Sequence, residues 1–338
     1  MRLARGISPR QHESLVGFVL RAAEVNRLSS AAVYQLVMGR VVCPTRRIDA
    51  AQLADVCGCT VPEVMDLFGV WHRHENGTSC LRLGDQWVTQ ERFVSSRKMA
   101  VCVECLRNNV FLPAVWELTF YRACAYHRRQ LLSSCPSCRR RLSWMRPRIA
   151  LCGCGYDFRN AGVTEATDSN WMVAQLIERR IDSSFALHVP NTVPRLVLDR
   201  LAALTLDGLF KTLWFLGYRL ARFDACRAGY GRGKLSNAET DAVVNMAFAM
   251  LADWPSSLGE IFARMETCAL SGATTRLYRR AFKPIVAYLD RELPESELVF
   301  VRLHCERAIR QLWSNRNRQN TPRDIGSQLE LNFDDKSL

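Results

Sequence analysis

Eight residues with metal-ligating side chains fall in four pairs within 53 positions: Cys102-x2-Cys105, Cys124-x2-His127, Cys135-x2-Cys138 and Cys152-x-Cys154. Two residues between ligands allow a tight knuckle turn to aim both side chains at one ion. Two such knuckles complete the tetrahedron that Zn²⁺ prefers. The simplest partition is sequential. Cys102, Cys105, Cys124 and His127 then make one site, and Cys135, Cys138, Cys152 and Cys154 the other. An interleaved pairing satisfies the spacing as well. Either way each ion has four protein ligands and no open position for water. The expectation is two structural Zn²⁺ ions, each supplying roughly 10 kcal/mol or more of folding free energy.

Arginines crowd the same segment: Arg128, Arg129, Arg139, Arg140, Arg141, Arg146 and Arg148, with Tyr126, Trp144 and Tyr156 among them. Of the net charge of +13, residues 95–160 carry +9, while 1–94 and 161–338 carry +2 each. Guanidinium forks suit phosphate and aromatic rings stack on bases. These seven arginines are therefore the candidate nucleic-acid or partner contacts, without a preference between DNA and RNA.

Other chemistry is sparse. Cys57 and Cys59 belong to a helical pattern, and Cys43, Cys80, Cys226, Cys268 and Cys305 read as small buried apolar residues. His72, His74 and Glu75 in "WHRHEN" lack a further ligand pair and read as an exposed loop, and His12, His188 and His304 are isolated. "AGYGRGK", 228–234, lacks the lysine–hydroxyl ending of a phosphate-binding loop. No nucleophile–base pair or carboxylate pair stands out, so no catalytic site is expected. No segment reads as membrane-spanning or as a signal peptide. Fourteen cysteines in the cytoplasmic, reducing location this implies point to metal before disulfides.

The elements that must hold these residues are mainly helical. "SPRQHESLVGFVLRAAEVNRL" carries an apolar stripe at Leu15, Phe18, Val19, Ala22 and Ala23, and "SSAAVYQLVMG" opens on serine and closes on Gly39. "IDAAQLADVCGCTVPEVMDLF" has the small residue, glycine turn and apolar anchors of a helix-turn-helix. Its second helix carries Glu63 and Asp66 and no basic residue, the wrong charge for a groove lined with phosphates. "VWELTFYRA" in the middle segment reads as β-like. Beyond residue 165 helices return: "TDSNWMVAQLIERRI" capped at Thr167 or Asp168, the apolar run "LVLDRLAALTLDGLFKTLWFLGYRL" as buried helix, and "SNAETDAVVNMAFAML" with Ser236 and Glu239 in capping-box spacing. "WPSSLGEIFARM", "SGATTRLYRRAFKPIVAYLDREL" and "SELVFVRLHCERAIRQLW" complete a bundle. The expected fold is mainly α with a small zinc-stabilised module. It comprises an N-terminal helical and helix-turn-helix domain (1–94), a double zinc-binding module of tandem knuckles (95–164), a C-terminal helical bundle (165–322) and a polar tail (323–338).

The chain resembles the TniQ/TnsD family of transposition target-selection proteins. The resemblance rests on "ESLVGFVLRAAEVNRLSS", on the phrase Cys102-x2-Cys105, Trp116, Cys124-x2-His127, Leu131, Cys135-x2-Cys138 with "CGCG" at 152–155, and on "LADWPSSLGEIFARM" at 251–265. It implies a non-enzymatic adaptor that recruits an AAA+ ATPase regulator (TnsC or TniB), and through it the transposase, to a chosen target. In CRISPR-associated transposons, TniQ-like members dock on Cascade with its CRISPR RNA, often as a head-to-tail homodimer that sets the helix-turn-helix against the C-terminal helices. TnsD-like members read an attachment site in DNA and are usually longer, so the length here favours the TniQ-like branch.

The acidic helix-turn-helix and basic middle segment agree with a partner-guided adaptor. The alternative is an autonomous sequence-specific DNA-binding protein, either an attachment-site selector or a transcriptional regulator. "RLYRRAFK", 276–283, is then the candidate reader.

Overall fold

The computed structural model describes residues 2–39, 48–67, 69–73, 79–94, 99–220, 235–270, 285, 288–289 and 298–319. "AGYGRGK", "RLYRRAFK" and the polar tail lie outside the described residues, as do His74, Glu75, Cys43 and Cys226. The chain divides into two compact units, Met1–Arg219 with Gly229–Ala252, and Leu220–Ala228 with Asp253–Leu338.

The first unit opens with α1 (Leu15–Val25), whose expected stripe of Leu15, Phe18, Val19, Ala22 and Ala23 is buried. Ser14 caps it by accepting from the Gly17 N–H. Gly17 is glycine for a packing reason: a Cβ there would lie 2.8 Å from Leu112 Cβ. Just before the helix, the fully buried Glu13 carboxylate accepts two bonds from Arg21, at 2.8 and 2.7 Å, and one from the Arg10 N–H at 3.0 Å. Helix α2 (Ser30–Met38) is capped by Ser29 and closed by Gly39 in the left-handed conformation.

Helices α3 (Ala50–Cys57) and α4 (Val61–Met65) form the expected helix-turn-helix shape. Gly58 turns the chain at φ 71°, and a Thr60/Glu63 capping box opens α4. Helix α4 is only five residues long, under two turns, because the chain leaves the helix at Asp66. Glu63 is engaged in its own cap, and Asp66 pairs with Arg82 at 2.5 Å.

The segment after α4 departs from the all-helical expectation for 1–94. It folds as an antiparallel meander of β1 (Trp71–Arg73), β2 (Ser79–Leu83) and β3 (Gln86–Val88), with Leu81 opposite both Trp71 and Val88. Gly84, at φ 58°, supplies the tight β2–β3 turn. "VWELTFYRA" likewise departs from its β-like reading. Ala114–Glu117 is a 3₁₀ turn, and only isolated bridges, Val94–Leu118 and Ala123–Gln130, remain extended.

Helix α5 (Val103–Asn108) lies in the cysteine-rich segment, and α6 (Asp168–Ile181), capped by Thr167, follows it. The apolar run near 200 divides into α7 (Arg195–Ala202) and α8 (Leu206–Trp214), because Thr205 caps a new helix by accepting from the Gly208 N–H. Beyond α8, Phe215–Leu220 continues as a π-helical turn. Helix α9 (Asn237–Ala252) starts with the expected box, in which the Ser236 and Glu239 backbone N–H groups each donate to the other's side chain. Gly217 meets α9 so closely that a Cβ would fall 1.9 Å from the Val243 carbonyl oxygen.

The core of this unit joins segments distant in sequence. Phe93, Phe120 and Phe210 meet with centroids 5.5–5.9 Å apart. Asp207 of α8 accepts from the Thr89 N–H at 3.0 Å and from its hydroxyl at 2.8 Å, fixing α8 beside β3. The expected boundaries at 94 and 164 fall inside the first unit, and Asp253–Leu338 falls in the second. Helices α6–α9 fall in the first unit, where Phe210 and Trp214 of α8 pack on Phe93.

In the second unit, α10 (Ser256–Leu270) packs with α11 (Val299–Gln319). Leu258, Phe262, Val301 and Cys305 are buried, and Trp254 stands edge-on to Phe300 and His304. No helix among the described residues is long and apolar enough to cross a membrane.

Candidate metal centres and the arginines around them

Two groups of four ligands form among the described residues, and they follow chain order. The first joins Cys102, Cys105, Cys124 and His127; the second joins Cys135, Cys138, Cys152 and Cys154. All ligand atoms of a group lie within 4.8 Å of one another. Bonds of about 2.3 Å to sulfur and about 2.0 Å to nitrogen around one tetrahedral ion imply S···S edges of about 3.8 Å and S···N edges of about 3.5 Å. In the first group Cys105 Sγ and Cys124 Sγ are 3.6 Å apart, and His127 Nδ1 is 3.3–3.6 Å from the three sulfurs. In the second, Cys135–Cys154 and Cys138–Cys152 are both 3.7 Å. Both donor sets fit Zn²⁺, and with four protein ligands each they match structural rather than catalytic sites.

The local backbone explains the geometry. In two knuckles the first ligand's N–H donates to the carbonyl five residues on, and its carbonyl accepts from the N–H four residues on. These are Cys124 with Arg129 and Arg128, and Cys135 with Arg140 and Arg139, at 2.8–3.0 Å. The fold-back places the residue after the second ligand in the left-handed region: Arg128 at φ 50° and Arg139 at φ 58°. Cys152–Cys154 closes a tighter hairpin, where Gly155 takes that conformation at φ 88° without strain. The first pair differs, since Cys102 caps α5 and Cys105 lies on its first turn. Reciprocal backbone bonds between Val101 and Leu132, at 2.9 and 2.8 Å, hold that pair against the knuckle of Cys124 and His127.

The two centres differ in exposure. Cys102 and Cys124 are buried, whereas Cys154 is exposed between glycines whose Cβ positions face open space. The Tyr156 backbone N–H contributes most to holding the Cys154 thiol down at about 6.

The seven arginines do not form one surface. Arg139, Arg140, Arg141 and Arg148 are exposed around the second centre. Arg128 is instead engaged within the fold. It pairs with Asp168 at 2.6 Å and Glu165 at 3.4 Å, and its guanidinium lies 4.7 Å from the Trp171 ring centroid. Arg129 is half-buried and bridges the Glu165 backbone. Arg146 departs most from expectation. It is 4% exposed and lies over the Phe158 ring, out of reach of an external phosphate. Of the aromatics, Tyr126 is exposed and meets Phe185 edge-on, while Trp144 is buried against Tyr34.

Sequence reasoning also missed the polar groups that fasten the module to helices. The Tyr121 hydroxyl donates to Glu178 at 2.6 Å, and Trp171 Nε1 donates to the Ala125 carbonyl at 2.9 Å. The buried Arg122 pairs with Asp241 of α9 at 3.3 Å, and Asn170 donates to the same carboxylate. On the other side the Ile149 N–H donates to Glu24 of α1 at 3.0 Å.

Of the remaining cysteines, Cys57, Cys80 and Cys305 are buried packing residues. Burial pushes Cys57 up to about 12 and raises Cys305 well above the ordinary thiol range. Cys80 is buried on β2, and the Cys268 side chain lies outside the described residues. His72 stands edge-on to Trp87 on the meander.

A search among curated proteins finds no match to the chain. The TniQ family model matches residues 4–131, from the N-terminal arm through the first metal centre, leaving the second centre beyond the matched span. Residues 4–131 thus form a TniQ family domain, and that family is involved in transposition target selection.

Proposed function

We propose that the chain is a non-enzymatic adaptor in transposition. It links a targeting complex, a CRISPR RNA-guided Cascade, to a TnsC- or TniB-like AAA+ ATPase regulator and so to the transposase. The TniQ domain over 4–131 is the observation that carries this reading. The helix-turn-helix supports it. Helix α4 is too short and too acidic to suit a DNA groove, which favours a protein contact for the motif. Two structural Zn²⁺ ions hold the middle of the chain rigid, and a cytoplasmic homodimer is the working assembly.

A guide-free selector that contacts DNA directly is the second reading. It is favoured by Arg139, Arg140, Arg141 and Arg148, an exposed cationic cluster suited to phosphate. Affinity purification from cells carrying the native genomic neighbourhood, with protein and RNA both identified, separates the two. Recovery of Cascade subunits with CRISPR RNA supports the guided adaptor. Recovery of the ATPase or DNA without them overturns the Cascade link and favours the selector. A selector must also prefer one duplex over competitor DNA by roughly a thousandfold at physiological salt.

A further inference from the structure

Arg146 is a buried cation without an obvious counter-charge. Its Nε donates to the Arg148 carbonyl at 3.2 Å and its Nη1 to the Ser143 carbonyl at 3.2 Å, with Met99 Sδ at 3.5 Å. All three acceptors are neutral. Its Nη2 is buried with no hydrogen-bond partner among the described residues. Its guanidinium lies 5.4 Å from the Phe158 centroid. A single charge desolvated in this way is costly unless an opposite charge stands close by.

The surroundings supply one. Phe158 closes the hairpin that carries Cys152 and Cys154: its N–H donates to the Ala150 carbonyl at 2.8 Å, and Leu151 bridges Asp157. The Cys152 N–H donates to the Tyr156 carbonyl at 2.8 Å in the same hairpin, so the ring under the guanidinium belongs to the turn that carries two ligands of the second centre. Burial pushes the Arg146 guanidinium down to about 10, with Cys152 ahead of Glu24 opposing that fall, and the Glu24 carboxylate accepts from the Ile149 N–H. Four thiolates around Zn²⁺ leave the second centre doubly negative, whereas three thiolates and an imidazole leave the first singly negative. Near the first centre the buried Arg122 has its own carboxylate in Asp241, whereas Arg146, beside the more highly charged centre, hydrogen-bonds only neutral acceptors among the described residues.

We propose that Arg146 is the buried counter-cation of the Cys135/Cys138/Cys152/Cys154 centre, offsetting the excess negative charge of its zinc tetrathiolate. This rests on the zinc reading of that centre. Arg146 is then a positioning residue, outside the ligand shell, that makes zinc loading and burial of the 142–150 segment depend on each other. A guanidinium that serves only as packing over Phe158 would lack that coupling.

The test compares Arg146→Met, which keeps length without charge, with Arg146→Lys, which keeps charge, in the full chain. A chromogenic chelator competes for zinc, and bound metal is counted per chain. In R146M one of the two ions is expected to weaken ten- to a hundredfold, the range for outer-shell partners, with the other unchanged. In R146K both should stay within about threefold of the parent, a margin well below that range. Equal retention of both ions in R146M overturns the proposal, as does an equal loss in R146K, which would make shape rather than charge decisive. Where R146M fails to fold, R146M combined with Cys152→His removes one negative charge and should recover two zinc ions; failure to recover them overturns it too. Fewer than two zinc ions in the parent protein overturns the zinc reading itself, and the proposal with it.

Discussion

The Tyr121 hydroxyl donates a 2.6 Å hydrogen bond to Glu178 Oε1, joining the run into the first metal centre to helix α6. Both groups are buried. Burial raises the Glu178 carboxyl from the ordinary range to about 7; the Tyr121 bond opposes that rise and the Asp182 charge adds to it.

The sign of the consequence follows. The native state holds a proton on Glu178 that the unfolded chain has already released, so stability falls as pH rises from about 4.5 to about 7. Glu178→Gln removes the titration and keeps an acceptor for Tyr121. Denaturant titrations of zinc-loaded protein should show the parent losing up to about 3 kcal/mol relative to E178Q across that window. Parallel stability curves for the two proteins would refute it.

Loss of metal should unfold the module. Two zinc ions per chain are expected by elemental analysis. Cys124→Ser should remove one and cost stability heavily, because its site shapes the buried 101–132 region, and a structural zinc supplies roughly 10 kcal/mol. Cys154→Ser, at the exposed corner, should release the other ion while leaving the first bound. Zinc content together with near-ultraviolet circular dichroism reads both outcomes.

Arg139, Arg140 and Arg141 changed together to alanine should leave the melting temperature unchanged, since all three are exposed. If the cluster holds phosphate, the slope of log affinity against log salt should shrink by up to about 3. Arg128→Ala should do the opposite. It breaks the pair with Asp168 and the contact with Trp171, and so costs stability of about 1–2 kcal/mol.

Gly217→Ala forces a methyl group into the Val243 carbonyl, and helix α9 must shift to admit it. A loss of about 3 kcal/mol is expected, at the upper end for overpacking. A thermal scan of the full chain checks it, and an unchanged transition would show that the helices can part freely.

The metal centres were legible because ligand spacing is a local property, and the helix caps at Ser29, Thr167 and Ser236 were legible for the same reason. The β-meander was overlooked because its strands are three to five residues long, too short for alternation to register. The Gly84–Asp85 pair between Leu83 and Gln86 was the available hint. Arg146 looked like its neighbours in a list of arginines. Yet Leu142, Trp144 and Arg146 are buried in turn while Ser143, Met145 and Pro147 are exposed, so it lies in phase with a tryptophan. That period of two was readable. The pair between Arg122 and Asp241 was not, because nothing local in either segment names the other.

That pair spans 119 residues. At ribosomal speeds of about 5–20 residues per second, Asp241 is synthesised on the order of ten seconds after Arg122. Until α9 arrives, the first metal centre is held by a segment whose buried cation has no carboxylate to face. Metal capture during translation would then precede closure of the surrounding core, and a fragment cut at residue 131, where the family match ends, would keep the ligands of one zinc but lose the helices that shelter it.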